Sequence, residues 1–580
     1  MYLNNHSYYS LRYGTISEVE LVDLAAKQGL TCFALTDINN TSGCLSFIKN
    51  AQEKGIKPIV GVDFRNGNHQ CYITLAKNNN GFLEINNFLS HHLHHKTNFP
   101  DHSPTFKDVI TVYPFENVLE LEKTTFSDNE YIGITHKNLN KLRFSPLSKH
   151  THKLVMLHTV SFRHKRDFNT HRLLRAIDKN MLLSMLPKKE EGHPEHTFIE
   201  AKDLRLQFSQ YPHLLSNAEQ ILKSCSIYFN FKKGKPSQNL TTLLGSEERD
   251  YNKLVALCKK GLPERYKDNI TYAVKRRLVK ELSLIRQQKY VAFFLINWKI
   301  IEYARSKDYF YVGRGSGANS IVAYLLRITD VDPIELDLYF ERFMNLYRAT
   351  PPDFDIDFST WDREDVTRYI FEEFGSKAQV ALLGSYVTFK HSGAVRELGK
   401  VFGLPKFEID KLSKGLYNSS HLDNIKKTII KYAQILHGKP NYTSIHAAGI
   451  LISQYPTHYF SATNLPPKGF PTVQFDMHIA EDVGLYKFDI LGQRGLGKIK
   501  DAIAIIKDNN PGITLPDIHN ARQFFTDQKI NQMISNADCI GCFYVESPAM
   551  RMLLRKLSVD NYLTLVAASS IIRPGVSKSG

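Results

Sequence analysis

Between Pro352 and Phe358 the chain reads Pro-Asp-Phe-Asp-Ile-Asp-Phe, acidic and apolar residues in strict alternation. A β-strand sends successive side chains to opposite faces. Asp353, Asp355 and Asp357 therefore share one face, and Phe354, Ile356 and Phe358 share the other. The apolar face belongs against a core. Carboxylates two positions apart on a strand lie roughly 6–7 Å from each other and repel unless a cation sits near them. Oxygen-only ligands of this kind suit magnesium. A solvated acidic edge is the plainer alternative, because short motifs recur by chance. The flanking residues decide between the two.

Upstream, Val312-Gly313-Arg314-Gly315-Ser316-Gly317-Ala318-Asn319 precedes an apolar helical run, Ser320 to Leu326. Glycines let backbone amides converge, and a helix N-terminus adds positive partial charge. Ser316 supplies a hydroxyl and Arg314 a full charge. Together they describe a phosphate cradle. The spacing matches neither the P-loop nor the dinucleotide fingerprint, and a tight strand-to-helix turn explains the glycines equally well. Arg342 and Arg348 lie between cradle and acidic strand. Carboxylates able to hold two metals beside a triphosphate cradle are the equipment of phosphoryl or nucleotidyl transfer. Asp489, in the strand-like Lys487-Phe488-Asp489-Ile490, taken alone is an ordinary strand-end aspartate.

These residues need a large scaffold. At 580 residues the chain is too long for one core, and three or four domains are expected. Hydrophobic residues make up 42% and mean hydropathy is −0.30, which describes an ordinary soluble protein. No apolar run is long enough to span a bilayer, and MYLNNHSYYSLRYG is not a signal sequence, so no membrane partner is expected. The 7 scattered cysteines fit a reducing cytoplasm. Cys539 and Cys542 form a lone C-x-x-C, read as two buried thiols. A net charge of +16 and a pI near 9.2 suggest a polyanionic partner, nucleic acid before membrane. The charge is dispersed, as in Lys275-Arg276-Arg277, Lys426-Lys427 and Arg551 to Lys556, and solvated helix faces account for it equally well.

Residues 1 to about 222 alternate strand-like and helical segments. Cys32 to Thr36 and Pro58 to Val62 read as buried parallel strands joined by a crossover helix, Leu45 to Lys54, that stops at Gly55. This is an α/β barrel or layered pattern. His91-His92-Leu93-His94-His95 reads as a surface helix end. A long helix is expected from Tyr272 to about Lys307, with Tyr290, Phe293, Phe294 and Trp298 on one face. Asp362 is positioned to cap a helix with Val366, Tyr369, Ile370 and Phe374 on its apolar face, ended by Gly375. Residues 385 to about 444 look helical and Lys-rich, 445 to 494 strand-rich, and the remainder helical. Ile571-Ile572-Arg573-Pro574-Gly575 does not read as a domain end, so a fragment is expected.

In order along the chain stand Gly313 to Gly317, Ile328-Thr329-Asp330-Val331-Asp332-Pro333, Phe340-Glu341-Arg342-Phe343 and Pro352 to Phe358. Gly384-Ser385-Tyr386, His446-Ala447-Ala448-Gly449, Lys487 to Gly492 and Gly541 to Ser547 follow. This ordered set resembles the bacterial C-family DNA polymerases, the alpha subunits of DNA polymerase III, over nearly the whole chain. Whether the relative is replicative or an error-prone paralogue stays open. The resemblance implies a multidomain α/β and α protein. A β/α barrel of the polymerase-and-histidinol-phosphatase type is expected at 1–222, and a nucleotidyltransferase-like palm of the polymerase beta type at 223–384 and 445–494. A helical thumb is expected at 385–444 and truncated fingers at 495–580. It implies a DNA-directed DNA polymerase using two magnesium ions on Asp353, Asp355 and Asp489. Gly315 and Ser316 would hold the triphosphate, helped by Arg314, with Arg342, Arg348 and Lys487 on basic positions facing phosphates. Its partners would be primer-template DNA, deoxynucleoside triphosphates, and a sliding clamp and other replisome or repair subunits through regions beyond residue 580. The protein would be cytoplasmic and nucleoid-associated, and these residues alone would polymerise weakly or not at all.

The family's N-terminal domain can carry a trinuclear metal site, and here the pattern departs. Its H-x-H reads Asn4-Asn5-His6, its T-D-H reads Thr36-Asp37-Ile38, and a glutamate position holds Asp63. Its N-D-V-H reads His158-Thr159-Val160-Ser161. His6, Asp37, Asp63 and His171 remain, so a degenerate site and a structural barrel are expected. A metal-dependent phosphoesterase working from this barrel and a non-catalytic replication or repair scaffold are the competing readings.

Overall fold

The computed structural model describes residues 1–342, 344–345, 350–418, 422–518 and 520–572, and of Ala521 only its backbone. Arg348 and the segment after Ile572 lie outside the described residues. The chain divides into two compact units. One holds Met1–Thr242, Ala349–Pro351 and Ile370–Phe488; the other holds Leu243–Arg348, Pro352–Tyr369 and Asp489–Gly580.

The first unit opens with β1 (Asn4–Asn5), β2 (Cys32–Leu35), β3 (Lys57–Asn66), β4 (His69–Ala76), β5 (Val109–Pro114), β6 (Glu130–Ile134), β7 (Leu154–Met156) and β8 (Thr159–Val160). β2 and β3 are parallel and joined by the helix Cys44–Glu53, as their apolar runs Phe33-Ala34-Leu35 and Ile59-Val60 require. The next connection breaks the expected pattern. Asn66 pairs with His69 across a two-residue turn in which Gly67 takes φ +62°, and so short a link returns the chain antiparallel. The sheet β2-β3-β4-β5-β6-β7 is thus mixed, a curled half-barrel rather than a run of parallel β/α repeats, with β1 and β8 as a separate parallel pair. The helix Asn79–His95 ends with its histidines in the last turn.

Two strands of the second unit follow, β9 (Tyr311–Arg314) and β10 (Asp355–Ser359). The chain then returns to the first unit with β11 (Val380–Thr388), β12 (Pro440–Ile452), β13 (Thr463–Asn464) and β14 (Thr472–Val473), and β15 (Phe488–Gln493) carries it back. β11 and β12 form a long antiparallel ladder. Between them, helices His391–Val401, Lys406–Ser413 and Asn424–Leu436 pack on Lys165–Asp178 through Leu173, Leu174, Ala394, Leu398, Ile429 and Leu436.

In the second unit, helix Glu247–Tyr266 precedes two helices, Tyr272–Gln287 and Val291–Ser306, where one long helix was expected. Lys289 takes φ +60° and the Tyr290 N–H returns to the Ile285 carbonyl at 2.9 Å, a left-handed C-terminal cap formed without glycine. No residue type at the break announces it. Helix Arg363–Phe374 follows β10, and the Asp362 carboxylate before it accepts from Lys500 Nζ at 3.0 and 3.2 Å. Beyond β15, helices Gln528–Ser535, Pro548–Lys556 and Tyr562–Ile571 enclose a small core of Ala537, Cys539, Met550, Leu554 and Ala568. Cys539 is buried and Cys542 exposed, so the pair of buried thiols is not formed.

Candidate active site

β10 is flanked by β15, parallel, and β9, antiparallel. The registers set Arg314, Asp355 and Asp489 side by side on consecutive strands. Neighbouring strands are about 4.8 Å apart, so the side chains of this row stand within reach of one another. Alternation puts Asp357 on the face of Asp355, and both meet the Arg314 guanidinium. Nη1 donates to Asp355 Oδ2 at 2.6 Å and Nε to Asp357 Oδ2 at 2.8 Å. The Asp357 hydrogen bond, ahead of the other carboxylates, raises the Arg314 pKa above its ordinary value. The opposite face is buried as the pattern demands, with Phe354 packed against Phe293 and Phe294.

The glycine loop and the acidic strand are built as one piece. Ser316 Oγ accepts the Asp353 N–H at 2.9 Å, and the Gly317 N–H donates to the Asp353 carbonyl at 2.9 Å. Gly315 takes φ +92°, and a Cβ at Gly317 would fall 2.2 Å from the Phe354 ring. Side chains at either position would push the loop off the strand. Asp353 itself is exposed at the start of the row.

One part of the cradle reading is corrected. After a 3-10 turn, Ser316–Asn319, the following helix is only Ile321–Leu325, and its N-terminus faces a buried carboxylate. Glu281 Oε2 accepts from Ser320 Oγ at 2.6 Å and from the Val322 N–H at 3.3 Å. Burial pushes the Glu281 carboxyl up, against these bonds and Arg277. Arg277 Nε donates to Glu281 Oε1 at 2.6 Å, and its Nη2 donates to the carbonyls of Asn319 and Leu338. That helix end is satisfied from inside the protein, so any phosphate contact falls to the loop. Sequence reading counted Arg277 among the dispersed charge and passed over Glu281, because an i, i+4 Arg–Glu pair looks like surface decoration.

Arg342 ends a 3-10 turn, Phe340–Arg342, and is exposed; Lys487 is half-buried immediately before β15. Arg348 lies outside the described residues. With Asp353 exposed, Asp355 half-buried and Asp489 buried beside it, these carboxylates are a donor set that fits a hard divalent cation.

The second acidic centre lies in the first unit and is closed. Asp63 Oδ2 accepts from Arg65 Nη2 at 2.6 Å, Gln70 Nε2 at 2.7 Å and His6 Nε2 at 2.9 Å. Burial would raise this carboxyl, but Arg65 and then His6 hold it below the usual carboxylate range. Asn4 Nδ2 donates to Thr159 Oγ1 at 3.0 Å, and Ser161 Oγ meets His6 Nδ1 at 2.9 Å. Asp37 accepts from Ser7 and Ser10 instead, and burial pushes it up to about 6. Ile38 donates its N–H to Ser10 Oγ. His171 Nδ1–H donates to the Tyr13 carbonyl at 2.8 Å, and Nε2 accepts the Gly192 N–H at 2.7 Å, leaving no lone pair for a metal. Burial takes its pKa down to about 3. His6, Asp37, Asp63 and His171 do not converge on one point among the described residues. They do not fit a metal cluster, and Arg65, unread in the sequence, supplies the positive charge.

Three family models match the chain: the PHP domain over residues 3–155, the bacterial DNA polymerase III alpha NTPase domain over 252–492, and the bacterial DNA polymerase III alpha subunit finger domain over 495–580. The DNA polymerase III subunit alpha of Bacillus subtilis is 30% identical over 99% of this chain and 55% of its own length. The error-prone DNA polymerase of Symbiobacterium thermophilum is 28% identical over 100% of the chain and 58% of its own length. The Escherichia coli K12 subunit alpha is 28% identical over 100% of the chain and 55% of its own length. The chain therefore spans a little over half the length of the curated relatives it matches.

Proposed function

The chain belongs to the family of bacterial DNA polymerase III alpha subunits, and on that premise we propose that it is the catalytic core of a template-directed DNA polymerase. The observation that supports this reading most is the register of Arg314, Asp355 and Asp489 on adjacent strands, with the glycine loop fastened to the backbone of Asp353. Asp353, Asp355 and Asp489 would hold two magnesium ions. Bound there, magnesium would lower the pKa of a primer 3′-hydroxyl and stabilise the pyrophosphate leaving group. Arg314 balances the row's negative charge. Gly315 and Ser316 present the triphosphate-binding loop, and Arg342, Arg348 and Lys487 supply further charge for phosphates. Asp357, buried and paired with Arg314, sets the position of that arginine.

In this reading, 223–384 with 445–494 form a nucleotidyltransferase-type palm, 385–444 a thumb and 495–580 the fingers, beside a PHP-like domain at 1–222. Primer-template DNA and deoxynucleoside triphosphates are the substrates, in the bacterial cytoplasm, with a sliding clamp and replisome or repair subunits as partners. Basic surfaces would grip duplex phosphates. The N-terminal centre, closed by Arg65, supports a structural role and no exonuclease of its own. Primer extension by the intact protein tests the assignment. Template-dependent addition that disappears in Asp355→Asn is expected, and addition at the wild-type rate by that variant overturns it. A mismatched primer with manganese or zinc, without nucleotides, tests the second part: 3′-end removal that survives Asp355→Asn and is lost in His6→Ala would contradict it.

A further inference from the structure

Away from both acidic centres, three donor side chains of different chemistry meet on the outer face of the β3–β4 hairpin. Gln70 turns inward to Asp63, whereas Cys71, at a register shift in the β3–β4 pairing, meets Asn66 instead. There the ligand atoms of His69, Cys71 and Asp101 all lie within 4.8 Å of one another. His69 Nε2 and Asp101 Oδ1 are 3.7 Å apart. The thiol is buried at the base, and the imidazole and carboxylate are exposed at the mouth.

The scaffold around them is fixed. Asn66, opposite His69 in the hairpin, donates to the Phe99 carbonyl at 2.8 Å and accepts the Phe99 N–H at 2.9 Å. Ser103 donates its N–H to Tyr113 Oη at 2.9 Å, so the loop bearing Asp101 is tied on both sides. Asn66 Nδ2 also donates to Cys71 Sγ at 3.4 Å, the kind of outer hydrogen bond that supports a thiolate ligand. Around a tetrahedral zinc, with bonds of about 2.0–2.3 Å, ligand atoms stand roughly 3.3–3.8 Å apart. Rotation of the two exposed side chains by about an ångström closes the set to those separations. Mixed nitrogen, sulfur and oxygen donors select a borderline-soft ion over magnesium.

We propose that His69, Cys71 and Asp101 form a zinc site, its fourth position taken by water, that fastens the 99–103 loop to the hairpin. It is separate from the family-type centre, whose ligands face inward. The test is titration of the full chain with Co²⁺ in reducing buffer, followed by competition with Zn²⁺. A thiolate-to-cobalt charge-transfer band saturating at about one equivalent is expected, displaced by zinc. Cys71→Ser should abolish the band, and His69→Ala or Asp101→Ala should weaken cobalt binding at least tenfold. The last two replace exposed side chains, so the test does not depend on the buried variant folding. Cobalt binding without the band, as from the histidines of the Asn79–His95 helix, overturns the proposal. A band that persists in the His69→Ala, Asp101→Ala double variant, as from Cys542, overturns it too.

Discussion

Asp63 and Asp355 each face an arginine, in opposite circumstances. Arg65 sits two residues from Asp63 on the same strand, and the side-chain exposures of the pair are 8% and 0%. Arg314 comes from the strand beside Asp355, and there the exposures are 47% and 24%. The first pair is an internal fixture: its charges are out of water, and His6 and Gln70 complete its hydrogen bonds. The second is an open ion pair that solvent screens and a ligand can reorganise. One acidic centre has thus been sealed by a side chain, and the other kept accessible at the end of a strand. Both centres are built on aspartate carboxylates; the geometry of the nearest cation separates them.

The largest effect that separates the centres should come from the open one. Asp355→Asn or Asp489→Asn is expected to reduce nucleotide addition by the intact protein on the order of 10³-fold or more, with DNA binding little changed. Single-turnover primer extension and a DNA titration read the two quantities. Full activity in Asp489→Asn would separate that residue from the row.

Next comes the sealed centre. Arg65→Leu leaves Asp63 buried without its main counter-charge and should cost about 3–5 kcal/mol of stability. Arg314→Leu, at a half-exposed guanidinium whose partners include the buried Asp357, should cost less, about 1–2 kcal/mol. Urea unfolding of both variants checks the contrast, and equal losses would erase it.

A smaller effect probes the loop. Ser316→Ala combined with Arg314→Ala should raise the KM for nucleotide roughly tenfold while DNA affinity changes less. If only thermal stability falls, Ser316 acts through the Asp353 backbone alone.

The most gradual effect is a pH dependence of the first unit. His171 is held neutral down to about pH 3, whereas unfolded histidine protonates near 6.5. Between those values the unfolded state binds a proton that the folded state does not, so stability falls on acidification. The slope from this one group is at most about 1.4 kcal/mol per pH unit. Asp37, pushed up to about 6, works the other way between its unfolded value and that pH. The informative quantity is therefore the difference between wild type and His171→Gln, whose melting temperature should depend less on pH from 6.5 downward.

Much was legible in local pattern. The alternation of Pro352 to Phe358 fixed which face holds acid and which packs, because a strand has period two. The helix Cys44–Glu53 was readable as the crossover between two apolar parallel strands, and the lost ligands at Asn4 and Ile38 could be named from residue type. Other features depended on residues far apart in the chain. The position of Asp489 beside Asp355 rests on strand pairing, and Glu281 closes a helix end some forty residues downstream. A break at Lys289 has no glycine to announce it. Above all, Arg65 on a β-strand reads as one more surface cation, and only tertiary packing turned it inward onto Asp63. Sequence determines what chemistry a side chain offers and the face it takes within its own element. Which distant partner it meets, and how dry the meeting is, follows from how the elements pack, and there the energies of buried charges are decided.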